Sequence, residues 1–304
     1  MADRIHYTSC PVCGSVEWTA VFPARDYTVS REEFSLLECS RCSLRFTQDV
    51  PGPDSIGPYY KAEEYISHTN TSKGLVNQLY QLVRRRTLAG KRKKIRKYTG
   101  LQQGRVLDYG CGTGAFAHAM QQAGWSVMGL EPDTDARALA KKLYGLDTAD
   151  TGALFDLEPA SFDAITLWHV LEHVHDLKNC VCRLGELLKP GGRLFVAVPN
   201  YTSLDASVYR ECWAAYDVPR HLYHFSPEAM LRLATAHGFN LRAIHPMWFD
   251  AFYVSLLSEQ YRNGKKRVWG YAKAFCNGLL SNLNAWVNPK KCSSLIYVLE
   301  IKPA

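Results

Sequence analysis

The chain has 304 residues, of which 47% are apolar and 21% charged, and its net charge is +7. This length allows a full α/β core with a small accessory domain, and the composition is that of a globular protein rather than a disordered or fibrous one. The polar start lacks the apolar segment of a signal peptide, so the ten cysteines favour reduced thiols and metal binding over disulfides. We expect a cytoplasmic location and no transmembrane segment.

Residues 1–50 contain two C-x-x-C pairs, Cys10 with Cys13 and Cys39 with Cys42, separated by 25 residues. Four thiolates presented by two tight turns fit a tetrahedral zinc site of the ribbon type. Such a site has no open coordination position, so its zinc would be structural and not catalytic. The pattern predicts a small zinc-ribbon-like module over residues 1–50.

Residues 51–98 are predicted to form a linker and helical bridge. After a Pro/Gly-rich start, Tyr65 and His68 are candidates for the wall of a substrate pocket, the alternative being packing between domains. One or two helices are expected over residues 75–98. Within this segment, residues 84–97 hold nine of the 36 basic residues, and without them 27 basic residues stand against 29 acidic ones. This basic face is either solvated or a docking surface for phosphates, a membrane or a nucleic acid.

The rest of the chain is organised around residues 105–133, which are predicted to form a strand, a glycine turn, a helix, a second strand and an acid. Gly110, Gly112 and Gly114 supply a turn where the backbone can approach a ligand closely. Glu131, about 20 residues further on, is placed to bind ribose hydroxyls. The turn lacks the G-x-G-x-x-G spacing of dinucleotide-binding enzymes.

The residues Asp-Tyr-Gly-Cys-Gly-Thr-Gly at 108–114 resemble the first motif of class I S-adenosylmethionine-dependent methyltransferases. The likeness continues through residues 161–167 and 188–192, in the same order over residues 100–245. It implies a methyltransferase domain over residues 99–304, an α/β fold with a doubly wound, seven-stranded, mostly parallel sheet (Rossmann-like).

The resemblance also implies S-adenosylmethionine as cofactor and S-adenosylhomocysteine as product. In this family the acid of the first motif and the glycine backbone hold the methionine part, and the acid after the second strand holds the ribose. The predicted cofactor-binding residues are Asp108, Tyr109, Gly110, Cys111, Gly112, Gly114, Glu131, Pro132, Asp150, Trp168 and His169.

A run rich in titratable side chains follows the fourth strand, predicted at residues 162–167. The carboxyl ends of strands line the ligand crevice of such sheets, so the run is expected beside the transferred methyl group. If the run is helical, His169, Glu172 and His173 share a face. We predict His173 or His169 as the catalytic base, with Glu172 beside them; packing or capping is the alternative. The H-x-x-E-H spacing also occurs in zinc proteases, but there it lies within a long helix.

Residues 213–225, after the fifth strand, combine aromatic and charged side chains in one loop. Loops of this kind at the carboxyl edge of a sheet are more often functional than structural. His221 and His224 are further candidates for the base. The predicted substrate contacts in this loop are Tyr216, Arg220 and Tyr223. A packed connection with satisfied polar groups is the alternative.

Nearly 50 residues separate the last two predicted strands, at about residues 240–245 and 294–301, where the minimal fold of this family has a short turn. We predict a helical insertion over residues 250–290. Its apolar residues recur at helical spacing, which is typical of a cap on the domain or of an interfacial helix for a lipid-linked substrate. The stripe is Val268, Ala272, Phe275, Leu279, Leu283 and Trp286.

The order of zinc module, Tyr-rich bridge and core resembles the layout of sugar C-methyltransferases. We therefore predict methyl transfer to a small or carrier-linked acceptor: a sugar, glycan or natural-product hydroxyl or carbon. A lipid-linked acceptor and peripheral membrane contact stay open. An RNA methyltransferase with a zinc module is disfavoured because residues 1–50 contain five arginines against seven acids. A non-catalytic cofactor-binding protein is the third alternative.

Overall fold

The computed structural model describes residues 3–60, 75–264 and 268–302, and most of these residues pack around one large sheet. The strands are β1 (Arg4–Ile5), β2 (Trp18–Arg25), β3 (Glu33–Cys39), β4 (Arg45–Thr47), β5 (Val50–Pro51), β6 (Arg105–Tyr109), β7 (Ser126–Leu130), β8 (Thr148–Ala149), β9 (Phe162–Trp168), β10 (Leu188–Pro199), β11 (Tyr223–His224), β12 (Phe239–Pro246) and β13 (Ser294–Ile301). The large sheet has the order β12-β13-β10-β9-β6-β7-β8.

Five neighbouring strands of this sheet, β8, β7, β6, β9 and β10, are parallel, and β13 runs antiparallel between β10 and β12. The central strands are covered on both faces, which explains why they read as continuous apolar runs in the sequence. Leu107 in β6 and Ile165 and Leu167 in β9 are fully buried. The predicted seven-stranded, mostly parallel sheet is confirmed.

The described residues form the α-helices α1 (Leu75–Thr99), α2 (Ala115–Gln121), α3 (Thr134–Tyr144), α4 (Leu177–Leu187), α5 (Leu204–Tyr209), α6 (Pro227–Ala236), α7 (Asp250–Asn263) and α8 (Val268–Val287). Side chains cap several of them: Asp133 accepts a hydrogen bond from Ala136 N, and Ser226 accepts one from Ala229 N. Each cap satisfies a backbone N–H that has no partner within its helix, so these helices begin at defined residues.

The predicted helical insertion is present as α7 and α8, between β12 and β13. The face of α8 toward the protein consists of small, buried residues, namely Ala274, Gly278, Ser281 and Ala285. The predicted apolar stripe instead lies on the solvent side, with Phe275, Leu279, Leu283 and Trp286 exposed. Small residues allow close approach of the two helix backbones, and a Cβ at Gly278 would lie 2.7 Å from the ring of Phe252. Within the described ranges, no helix has the length and apolarity needed to span a membrane.

A second, four-stranded sheet has the order β11-β4-β3-β2. Strands β2, β3 and β4 come from the predicted zinc-ribbon-like module, whereas β11 comes from the loop after β10. Tyr223 in β11 pairs with Phe46 in β4. The N-terminal sheet is therefore completed by a segment that follows β10 of the large sheet.

A buried ion-pair network joins the same two regions. The guanidinium of Arg220, 1% exposed, donates to Asp217 Oδ1 at 2.6 Å and Asp26 Oδ1 at 3.1 Å, and also to the carbonyl of Tyr59 at 2.8 Å. Burial acts to raise the pKa of Asp26, but hydrogen bonds from Ser30 and the charge of Arg220 outweigh this effect and lower the pKa. Asp26 is fully buried, so its charge depends on these partners.

Replacing Arg220 by methionine is expected to lower the free energy of unfolding by about 3–5 kcal/mol, since Asp26 would stay fully buried, and Asp217 partly buried, without their cation. Urea unfolding followed by circular dichroism measures this. Arg41→Met, at an exposed position of the same module, is the control and should change stability by less than about 0.5 kcal/mol. Equal effects of the two changes would show that the network does not stabilise the fold.

Candidate active site

The glycine turn between β6 and α2 lies at the carboxyl edge of the large sheet. Gly110, Gly112 and Gly114 have φ values of 72°, 54° and 80°, which other residues rarely adopt. A Cβ at Gly110 would lie 2.4 Å from a methyl group of Val170, whereas a Cβ at Gly112 would meet no atom within 4 Å. The turn is thus packed on one side and open on the other, as expected of a backbone that receives a ligand.

Asp108, near the end of β6, is 1% exposed and accepts a 2.7 Å hydrogen bond from Thr166 Oγ1. Burial raises the pKa of this carboxyl group to about 7, whereas the Thr166 hydrogen bond and the charge of Lys91 act to lower it. A cationic ligand group beside Asp108 would favour the ionised form.

Glu131 directly follows β7 and contacts the glycine turn. Its Oε2 accepts a 2.7 Å hydrogen bond from Gly112 N, and its Oε1 accepts one of 3.1 Å from Asp133 N. Burial raises its pKa, and these two N–H groups oppose the rise. The structure therefore holds this carboxylate, predicted to bind ribose, against the backbone that would receive the ligand.

The other predicted cofactor residues lie along the same edge. Asp150 accepts a 2.8 Å hydrogen bond from Gly152 N and lies 3.3 Å from Arg137 Nη1. The remaining ones differ in exposure: Tyr109 is buried, Cys111 and Trp168 are half-buried, and Pro132 is exposed. The carboxyl ends of β6, β7, β8 and β9 bring these residues together.

Lys91, from the basic helix α1, was not predicted as a site residue. Its Nζ lies 4.2 Å from the centre of the Trp168 ring. Burial lowers the pKa of Lys91 to about 8, although the charges of Asp108 and Asp250 favour its protonated form. The sequence contains one signal for this inward position: Lys91 lies four residues before Ile95, which is buried, so the two share a helix face. Part of the basic run thus faces the crevice and not solvent.

His169 follows β9 with a φ of 59°, an uncommon value for a residue with a side chain. Its Nε2 lies 3.1 Å from Asp250 Oδ2 and its Nδ1 lies 3.5 Å from Glu172 Oε1. Burial acts against protonation, but Asp250 and Glu172 raise the pKa of His169 to about 9. Asp250 begins α7, so the insertion supplies a charged group to the site that the sequence did not predict.

Glu172 and His173 belong to a short 3-10 turn, Leu171–His173, rather than to a longer helix. Glu172 is 0% exposed, and its two carboxylate oxygens accept no hydrogen bond within the described part of the chain. His173 Nδ1 lies 3.0 Å from the Arg220 carbonyl and 3.1 Å from the Tyr60 hydroxyl. Burial and the neighbouring His221 lower the pKa of His173 to about 4.

His221 packs edge-on against His173, with ring centres 4.6 Å apart, and its Nδ1 lies 2.8 Å from the Ala215 carbonyl. One ligand atom each from Glu172, His173 and His221 can be chosen so that all three lie within 4.8 Å of one another. The turn after β9 and the loop after β10 thus form one cluster, joined by a hydrogen bond from Leu222 N to the Glu172 carbonyl.

The other predicted residues of the loop after β10 are buried in contacts with the N-terminal sheet. His224 Nε2 lies 3.0 Å from Thr47 Oγ1, and burial lowers its pKa well below the usual value. The Tyr216 hydroxyl accepts a hydrogen bond from Arg45. The Tyr223 hydroxyl lies 3.3 Å from that of Tyr7. Together with Arg220, these side chains join the loop after β10 to the N-terminal module. Among the predicted site residues of this loop, only His221 belongs to the cluster with Glu172 and His173. Tyr65 and His68 lie outside the described residues.

The four cysteines of the N-terminal module form a second cluster, in which one sulfur atom from each lies within 4.8 Å of the others. Two of these separations, Cys10 to Cys42 and Cys13 to Cys39, are 3.5 Å. Four sulfur ligands about 2.3 Å from one zinc ion lie roughly 3.8 Å apart, so the arrangement fits a tetrahedral four-thiolate site.

Comparison with known proteins gives a match to the family model described as "Methyltransferase domain" over residues 80–244, more than half of the chain. The chain is 30% identical over 175 residues to a ubiquinone biosynthesis O-methyltransferase of Idiomarina loihiensis, covering 53% of this chain and 72% of that protein. An enzyme of the same name from Xylella fastidiosa is 39% identical over 116 residues, covering 36% of this chain and 47% of the relative. A SAM-dependent methyltransferase structure from Archaeoglobus fulgidus superposes with a TM-score of 0.48 at 16% identity, covering 74% of this chain and 99% of that one.

Proposed function

We propose that this chain, which belongs to the methyltransferase domain family and is an S-adenosylmethionine-dependent methyltransferase, methylates a hydroxyl group on a small or carrier-linked acceptor. The observation that supports a hydroxyl is the cluster of Glu172, His173 and His221. Two of its members, Glu172 and His173, lie two and three residues beyond Val170, which packs on the glycine turn.

The described residues fit the cofactor on three points. The open side of Gly112 leaves room for a ligand at the backbone, Glu131 accepts a hydrogen bond from Gly112 N, and Asp108 interacts with the charges of Lys91 and Glu131. We assign Asp108 to the cofactor's amino group, Glu131 to its ribose hydroxyls and Lys91 to its carboxylate, because each charge is opposite or complementary to the group it would bind. When bound, S-adenosylmethionine supplies an electrophilic methyl group on a sulfonium centre, so the protein has mainly to align the reactants and take up a proton.

A hydroxyl that accepted the methyl group supplied by the bound cofactor would have to lose its proton. Glu172 and His173 offer proton acceptors at the carboxyl edge of the sheet, where the glycine turn also lies. If His173 donates its Nδ1 hydrogen to the Arg220 carbonyl, its Nε2 carries the lone pair. The low pKa of His173 likewise favours the neutral ring. We assign deprotonation of the acceptor to this cluster.

Two observations support an acceptor that is attached to an apolar carrier. The relatives are named for O-methylation in ubiquinone biosynthesis. In addition, α8 exposes an apolar stripe that includes Trp286, 77% exposed. Both are consistent with an acceptor presented at a lipid surface, although the crevice chemistry applies equally to a sugar or natural-product hydroxyl.

The affinity for S-adenosylmethionine is expected to pass through a maximum between about pH 7 and 8. Below it, Asp108, with a pKa of about 7, becomes neutral; above it, Lys91, with a pKa of about 8, loses its charge. Lys91→Met should weaken binding roughly tenfold to a hundredfold at pH 7.5, the effect of about 1.5–3 kcal/mol for a hydrogen bond to a charged group, and remove the alkaline decline. Isothermal titration calorimetry across pH measures both.

Lys93→Met is the matched control, since Lys93 lies in the same basic run but is exposed. Its pH profile should follow that of the unchanged protein. A Lys91→Met profile that also follows it would remove Lys91 from the cofactor site.

The acceptor class can be tested with methyl-labelled S-adenosylmethionine and host extract separated into nucleotide-sugar, lipid and RNA pools. We expect label in the lipid or nucleotide-sugar pool, with ¹³C NMR identifying an O-methyl carbon. A C-methyl carbon would return the assignment to the sugar C-methyltransferases. Label in RNA would contradict a small acceptor, and cofactor binding without transfer to any pool would indicate a binding protein.

We also propose a structural zinc ion at the four cysteines. Cys39→Ser should remove this zinc and lower the melting temperature, because the ribbon's core packs around the thiolates. Atomic absorption after gel filtration and a thermal melt report the two effects. Cys276→Ser, at an exposed cysteine of α8, should retain full zinc content. Equal zinc in both variants would contradict the proposed site.

A further inference from the structure

Glu172, His173 and His221 have the features of a metal centre distinct from the four cysteines. They offer one carboxylate oxygen and two imidazole nitrogens within 4.8 Å of one another. Two histidines and one carboxylate are a common ligand set of divalent metal ions in proteins, and they leave coordination positions open for a substrate.

Both imidazole rings are held in the way that metal ligands usually are. A ligating histidine typically donates its other ring N–H to a carbonyl or carboxylate, which fixes the ring and leaves a lone pair for the ion. His173 Nδ1 lies 3.0 Å from the Arg220 carbonyl, and His221 Nδ1 lies 2.8 Å from the Ala215 carbonyl. In the tautomer that donates to these carbonyls, Nε2 of each ring carries the lone pair that an ion would bind.

Glu172 supplies an independent observation. It is fully buried, and neither carboxylate oxygen accepts a hydrogen bond from the described residues. The nearest cation is His169, whose Nδ1 is 3.5 Å from Oε1, longer than a good hydrogen bond. A buried carboxylate without hydrogen bonds is costly, and a bound cation would satisfy these oxygens.

Contacts within the protein hold the three ligand residues together without a metal ion. The hydrogen bond from Leu222 N to the Glu172 carbonyl, 2.8 Å long, joins the two chain segments beside the ligands. The guanidinium of Arg220, immediately before His221, is anchored by Asp217 and Asp26. His173 is only half-buried, so one member of the cluster is partly exposed, whereas Glu172 and His221 are buried.

We propose that Glu172, His173 and His221 bind one divalent transition-metal ion, whose open positions take the oxygen of the acceptor. The mixed nitrogen and oxygen ligands favour manganese, iron, cobalt or zinc over calcium or magnesium, which prefer oxygen ligands alone. The second half of this inference rests on the proposed function. With the ion bound, the three side chains would act as its ligands in place of proton acceptors, and the ion would lower the pKa of the acceptor hydroxyl, whose proton would pass to solvent.

The binding half is tested on the full chain with Mn²⁺ alone, since manganese prefers oxygen and nitrogen ligands to the thiolates of the cysteine cluster. Loss of the free Mn²⁺ signal in electron paramagnetic resonance measures its uptake. We expect one Mn²⁺ per chain, little uptake by Glu172→Gln, and undiminished uptake by Cys39→Ser. No uptake by the unchanged, folded chain would overturn the inference, whatever the variants do.

Glu259→Gln is the matched control, because Glu259 is also a buried glutamate with an oxygen that lacks a hydrogen-bond partner among the described residues, but it lies on α7. It should bind Mn²⁺ like the unchanged chain. Equal loss in Glu172→Gln and Glu259→Gln would indicate a general effect of charge removal and contradict the assigned ligands.

Methyl transfer after mild chelation separates this inference from the proposed function. We expect transfer to fall at least tenfold with cofactor affinity unchanged, and to return on adding Mn²⁺. Full transfer in protein free of the second metal would overturn the role of the ion while leaving the methyltransferase assignment intact. Mn²⁺ binding without transfer to any acceptor would instead support the metal site and contradict the proposed acceptor chemistry.

Discussion

The buried guanidinium of Arg220 is the contact on which the arrangement of the crevice depends. Its side chain pairs with Asp217 in its own loop and with Asp26, directly after β2 of the N-terminal sheet, and its carbonyl lies at hydrogen-bonding distance from His173. One residue therefore fixes the loop after β10, the N-terminal sheet and the turn after β9 relative to one another. Breaking a buried ion pair leaves uncompensated charges, so the three segments are strongly coupled.

That coupling gives the N-terminal module a role in the shape of the site. The module contributes three strands of its sheet, and the loop after β10 contributes the fourth. Most of the polar and aromatic side chains of that loop are used in this contact, which leaves His221 for the crevice. A zinc-bound ribbon would thus stabilise the loop that positions His221.

The crevice itself combines charged groups from separate parts of the chain at one edge of a parallel sheet. Asp108 lies near the end of β6, Glu131 directly follows the neighbouring strand β7, Lys91 comes from the preceding helix, and Asp250 begins the insertion. Their mutual charges partly offset the effect of burial, as with Asp108, whose pKa is raised by burial and lowered by Lys91. A ligand with both a cationic and an anionic end would match the side chains of Asp108 and Lys91.

The sequence by itself determined the features that depend on local spacing. The paired cysteines, the glycine turn with its acid one strand later, and the apolar runs of β6 and β9 all follow from residues close together in the chain. Tertiary structure alone decided which distant residues meet: Asp250 and Lys91 at the crevice, the pairing of β11 with β4, and the outward orientation of the α8 stripe. These contacts depend on packing across long loops, and neither periodicity nor residue type specifies which surfaces meet. The same limit applies to the loop of residues 213–225, where burial gave Arg220, Tyr216 and Tyr223 structural contacts that their chemistry alone did not indicate.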